Sequence, residues 1–193
     1  MKILILLLIS CSLWATEKHP IYNQILRNKP SINKQYAMKL SNIIHKMTRK
    51  YNLPSQIFTA ILAQESGYRL AAKSGGMAYI DDIASFDSKV QACLNLSVDL
   101  GKECCVCKIK RYKKVKVVMD FGISQIHINT IERFDFNILK LTTDLEYSVE
   151  AGAIVLAGFK KKYSKREELW FTRYNSSNKI KRDIYYELIK RYF

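Results

Sequence analysis

The sequence predicts a mainly helical protein, and three observations lead there. Tyr36, Leu40, Ile43, Ile44, Met47 and Tyr51 recur every three or four residues with Lys and Asn between them, which is the spacing of one face of a helix. Helix start and stop signals recur along the chain. β-Branched alternation is confined to one segment, Ile109 to Val118, where a short hairpin is expected. The 193 residues suffice for one domain with a real core, and 48% hydrophobic and 25% charged residues exclude collagen-like, low-complexity and disordered readings.

The elements follow in order. Residues 1–15 read as a signal peptide, because the run Ile3 to Ile9 behind Lys2 has the shape of its apolar segment and is short for a membrane span. Leu8-Ile9-Ser10-Cys11 resembles a bacterial lipobox, which predicts a lipid on Cys11 and membrane anchoring; cleavage near Ala15 is the alternative, and both stay open. Export, periplasmic in a bacterium, is the expectation from either. Residues 16–32 are polar and irregular and read as a tether, and 33–193 as the folded domain.

Within that domain Asn52-Leu53-Pro54 breaks the first helix. Pro54 suits the first turn of a second and Gly67 its end. Thr143-Asp144-Leu145-Glu146 is a capping box ahead of the apolar stretch Ala151 to Phe159, and Ser164-Lys165-Arg166-Glu167 repeats the signal ahead of Leu169, Trp170 and Phe171. Ile180, Ile184, Leu188 and Tyr192 mark the apolar face of a last helix.

The segment from about 73 to 119 differs in kind. It holds Gly75-Gly76, Cys93, Cys104, Cys105 and Cys107, and a run of Lys102, Lys108, Lys110, Arg111, Lys113, Lys114 and Lys116 against Glu103. Four cysteines in an oxidising compartment predict disulfides, with three pairings open. Cys104 and Cys107 have C-x-x-C spacing, but no second pair accompanies them and His19, His45 and His127 are scattered, so no metal is expected. The net charge of +15 attracts polyanions, whether acidic wall polymer, anionic lipid or nucleic acid. An exported chain is not expected to meet nucleic acid, and the basic run also reads as a solvated surface.

Glu65 stands out. On the second helix Ile57, Phe58, Ile61 and Leu62 define an apolar stripe, and 100° per residue places Glu65 near its middle. Burial and the carbonyl end of the helix both disfavour a carboxylate, and a carboxyl kept protonated is what a general acid requires. The plain alternative is a Glu whose head reaches water or pairs with Arg69.

Glu65-Ser66-Gly67, then Gly122-Ile123-Ser124-Gln125-Ile126, then Ala151-Gly152, then Tyr174-Asn175-Ser176 stand in the order seen in soluble lytic transglycosylase domains. The chain resembles that family from about Tyr36 to Phe193. The resemblance implies a goose-type lysozyme-like fold and cleavage of the β-1,4 bond between N-acetylmuramic acid and N-acetylglucosamine in peptidoglycan, leaving a 1,6-anhydro end. It implies Glu65 as the single acid and base, no cofactor, and a glycan cleft lined by Ser66, Gln125, Tyr174 and Asn175, with Tyr185 a neighbour.

A role beside a secretion or conjugation apparatus is compatible with it. Departures from the family's pattern are the long cysteine-rich insertion, Ser124 where Met or Phe is frequent, Ser148 near a frequent Asn, and Ser177 for a closing Gly. Asp120-Phe121-Gly122-Ile123-Ser124-Gln125 also resembles animal-type lysozymes, which keeps Asp120 as a second carboxylate in a hydrolytic alternative. A non-catalytic wall-binding protein is the other alternative.

Overall fold

A computed structural model describes residues 19–79, 106–110 and 114–193, and for 75–118 the backbone alone. The signal segment with Cys11, and also Cys93, Cys104 and Cys105, lie outside the described residues. The structure is mainly helical, with one small sheet. Where the sequence predicts one domain, the chain clusters into two compact units: the part up to Gly67 together with Ala153–Phe193, and Tyr68–Gly152. The division falls inside one continuous helix.

The first unit opens with α1 (His19–Asn28), where the sequence predicts a tether. Ile21 and Ile25 are buried, and Gln24 Nε2 donates to the carbonyls of Gln56 at 3.0 Å and Tyr192 at 2.8 Å. Two apolar residues four apart and one satisfied amide tie down a segment whose composition alone reads as irregular.

Helix α2 (Lys34–Lys50) buries Leu40, Ile43, Ile44 and Met47, as its spacing predicts, and Asn33 Oδ1 caps it by accepting from the Tyr36 amide at 3.0 Å. Helix α3 (Ser55–Ser66) begins one residue after Pro54, which caps it from outside. Phe58 to Ala63 are all buried, so α3 is enclosed nearly all round rather than along one stripe.

In the second unit, strands β1 (Lys73–Tyr79), β2 (Val106–Lys110) and β3 (Lys114–Phe121) form an antiparallel sheet in the order β1-β3-β2, and β4 (Ile126–His127) adds to β3. The predicted hairpin is β2 with β3, Val106 facing Val117 and Lys110 facing Lys114, while Cys107 sits in register with Lys116. Helices α4 (Ile128–Phe134) and α5 (Ile138–Thr143) follow. Phe121, Ile123, Ile126 and Leu141 are buried with them.

Helix α6 (Leu145–Tyr163) is capped by Asp144, not by the Thr143 that the capping-box pattern marks. Thr143 ends α5 with its hydroxyl on the Leu139 carbonyl at 2.8 Å, and Asp144 Oδ1 accepts from the Tyr147 amide at 3.1 Å. A threonine already bonded within the preceding helix cannot cap the next. The second capping signal, at Ser164, opens no α-helix: turns lead to a 3-10 segment, Trp170–Tyr174.

The turn between β3 and β4 is held from below. Gly122 has φ +79° and donates to the Ala72 carbonyl at 3.0 Å. Ser148 Oγ accepts from the Ile123 amide at 3.1 Å, and Ser124 Oγ donates to the Ser148 carbonyl at 2.9 Å. Ser124 and Ser148 therefore meet, each satisfying a buried backbone group at or beside the other.

A Cβ on Gly122 would lie 2.3 Å from the Leu141 carbonyl oxygen and 2.4 Å from Ser148 Oγ. Left-handed backbone and two clashes add, so Gly122→Ala is expected to cost about 3 kcal/mol or more, read from the denaturant midpoint.

Candidate active site

Helix α3 stops where its sequence says it should. Gly67 takes the left-handed conformation, φ 57°, with its amide on the Ala63 carbonyl at 2.8 Å, and Lys29 Nζ bonds its carbonyl at 2.7 Å. That stop places Glu65 in the last turn. Glu65 is half-buried rather than enclosed in the core as its stripe position predicts, because it stands on the wall of a cavity.

The cavity has a volume of about 210 Å³ and is lined by Gln64, Glu65, Asn175, Lys181, Ile184, Tyr185 and Leu188. It is of a size for a sugar ring or its substituent. Across it from α3 runs α7 (Lys179–Ile189), capped by Asn178 Oδ1 on the Lys181 amide at 3.2 Å, with a 3-10 turn, Lys190–Tyr192, after it. Its packing face is one residue on from the predicted one. Tyr185 and Ile189 are buried, whereas Ile180 is 71% and Ile184 58% exposed.

The reason is Tyr185. Its hydroxyl donates to Glu65 Oε1 at 2.5 Å, and the ring is 3% exposed. Burial first, then the Glu65 charge and hydrogen bond, then Tyr174, hold the phenol well above the ordinary tyrosine range. Tyr185 is therefore a hydrogen-bond donor at every physiological pH.

The Tyr-Asn motif reaches this place through an ion cluster that sequence reasoning misses. Glu167 accepts from Arg173 Nε at 3.0 Å and Nη2 at 2.5 Å, and from Arg182 Nη1 at 2.7 Å. Arg173 also donates to the Ser177 carbonyl at 3.3 Å and lies over the Tyr163 ring at 4.5 Å. One carboxylate so joins the 3-10 segment that ends in Tyr174, the loop from Asn175 to Asn178, and α7. A capping-box glutamate that instead forks to two arginines leaves no local signal, since its partners lie 6 and 15 residues away.

The other predicted residues fall as follows. Asn175 lines the cavity and Tyr174 is half-buried near Tyr185. Ser66 is buried with its hydroxyl on the Leu62 carbonyl at 3.2 Å, turned back into its own helix. Gln125 and Asp120 belong to the second unit. Gln125, at φ 46°, spends its amide donor on the carbonyls of Ala72 at 3.0 Å and Gly122 at 2.8 Å. Asp120 Oδ2 accepts from the Ser74 hydroxyl at 2.8 Å, its partner in the β1–β3 register.

Gln64, Lys181, Ile184 and Leu188 line the cavity without having been singled out for it. The spacing of Ile180, Ile184 and Leu188, four residues apart, was the available signal, but it reads as core. Among the described residues no group of three or more His, Cys, Asp or Glu could hold a metal ion.

A carboxyl in the last turn of an enclosed helix is thus held by a buried phenol on the wall of a cavity. The chain belongs to the family described as Transglycosylase SLT domain, whose pattern it matches over residues 42–187. That membership gives it lytic-transglycosylase-type activity toward peptidoglycan. No curated protein and no solved structure matches the chain.

Two variants test the geometry. Tyr185→Phe keeps the ring and removes the donor to Glu65, so kcat/KM on peptidoglycan is expected to fall about tenfold, the worth of a hydrogen bond to a charged group at roughly 1.5 kcal/mol.

The two arginines hold the Glu167 carboxyl below its ordinary range, chiefly through the Arg173 hydrogen bond. A depressed folded pKa stabilises above the unfolded value and the gain is lost as pH falls through the folded one. The stability gap between wild type and Glu167→Gln is therefore expected to be full at neutral pH and to close toward acid pH in thermal melts.

Proposed function

We propose that this protein is a lytic transglycosylase that cuts the β-1,4 bond between N-acetylmuramic acid and N-acetylglucosamine, with Glu65 as its single acid and base. The observation that carries the reading is Glu65 on the cavity wall with the Tyr185 hydroxyl at 2.5 Å and Asn175 beside the same space. In the acid step the Glu65 carboxyl gives its proton to the leaving glycosidic oxygen as the bond to the muramyl anomeric carbon breaks. The substrate's own acetamido oxygen supports the cationic carbon. The resulting carboxylate then takes the proton of the muramyl 6-hydroxyl as that oxygen bonds the anomeric carbon, which leaves the 1,6-anhydro end and returns Glu65 to its starting state.

Tyr185 favours the carboxylate between the two steps, because its hydrogen bond is strongest to the charged form. Asn175 is placed to bond an acetamido or hydroxyl group. No protein nucleophile is required. Asp120 is left out of this scheme because its carboxylate already accepts from Ser74 across a strand pair, the role of a structural strand-end residue. Export to the periplasm, with or without a lipid on Cys11, and local opening of the wall for a secretion or conjugation apparatus complete the proposal.

Mass spectrometry of muropeptides released from purified peptidoglycan by the full chain tests it. Anhydro-muramyl ends are expected, reduced about a hundredfold or more by Glu65→Gln. Reducing ends would replace the lyase with a hydrolase using Asp120, and release by neither protein would leave a wall-binding role.

A further inference from the structure

The lining of the cavity beside Glu65 includes a cationic residue that the acid–base scheme does not use. Lys181, one turn before Tyr185 on α7, lines it, and its ammonium has no ion-pair partner among the described residues. Its basic neighbours on the helix are spoken for: Lys179 pairs with Asp183 at 3.6 Å and Arg182 with Glu167 at 2.7 Å. While Glu65 holds its proton, Lys181 is the one formal charge among the lining residues.

A bare cation there works against the reaction, because the breaking bond leaves positive charge on the sugar. A negative group brought to the ammonium by the bound glycan offsets that repulsion before Glu65 gives up its proton. Ile184, 58% exposed, and Leu188 flank the same space with apolar surface. A ligand group combining a carboxylate with small apolar carbons meets both demands.

We propose that Lys181 is a specificity residue that reads a carboxylate on the acyl arm carried by the muramyl ring, with Ile184 and Leu188 packing the methyl groups of that arm. The arm supplies the carboxylate in one of two ways: from the lactyl group itself on a strand stripped of peptide, or from the peptide joined to it. The inference rests on the glycan-cleft reading of the cavity.

Binding rather than turnover tests it, with the full-length Glu65→Gln protein on insoluble sacculi. Adding Lys181→Gln is expected to weaken binding about fivefold, the upper end for a solvent-accessible ion pair. Adding Lys161→Gln, which removes an exposed charge elsewhere on the surface, should change it less than twofold.

The Lys181 effect should vanish on sacculi whose carboxylates have been amidated, and Lys181→Arg should restore binding. Retention of the effect on amidase-stripped strands assigns the lactyl carboxylate, and its loss there assigns the peptide. Equal effects of Lys181→Gln and Lys161→Gln, or a Lys181 effect that survives amidation, would overturn the proposal. A wild-type protein that binds in this Lys181-dependent way but releases no muropeptides would overturn the enzymatic reading alone.

Discussion

The hydrogen bond from Tyr185 to Glu65 is the constraint around which the first unit is arranged. It joins residues 120 positions apart. For the phenol to arrive, α3 must end just after Glu65, which Gly67 ensures, and α7 must turn Tyr185 inward. Turning Tyr185 inward rotates Ile180 and Ile184 out of the core and leaves Lys181, one turn earlier, on the side of the cavity. The contact that orients the carboxyl thus also decides which side chains line the space in front of it.

The supports of that contact are themselves polar and non-local. Glu167 gathers Arg173 and Arg182 and so fixes the Tyr-Asn segment against α7, while Gln24 and Lys29 hold the ends of α7 and α3 from the N-terminal side. Charge-assisted and buried hydrogen bonds are directional, and they position elements where apolar packing alone would tolerate slippage. In the second unit the Gly122 turn is held in the same manner by Ser148 and Ser124, with Gly122 required because no other residue fits above Leu141 and Ser148.

Much of the fold was legible because it follows local rules. The spacing on α2, the glycine stop of α3, the apolar run of α6 and the β2–β3 hairpin each announce themselves within one or two turns of sequence. The order of the four motifs marked the family and pointed to Glu65. What misled was the same local reasoning applied where distant partners decide. Thr143 and Ser164 carry capping patterns, yet one hydroxyl is engaged by its preceding helix and the other's glutamate is taken by arginines. Residues 19–28 look like a tether because two buried isoleucines and one glutamine are too few to signal a helix without the surface they cover.

By itself the sequence determined the helical class and the family and singled out Glu65 as the candidate acid, since periodicity, glycine geometry and motif order are properties of neighbouring residues. Only the tertiary structure decided that Tyr185 holds that acid, that Glu167 ties the Tyr-Asn segment to α7, and that Lys181 faces the cavity. These depend on the rotation of a helix about its axis, which an apolar stripe leaves uncertain by one residue and which a single long-range hydrogen bond settles.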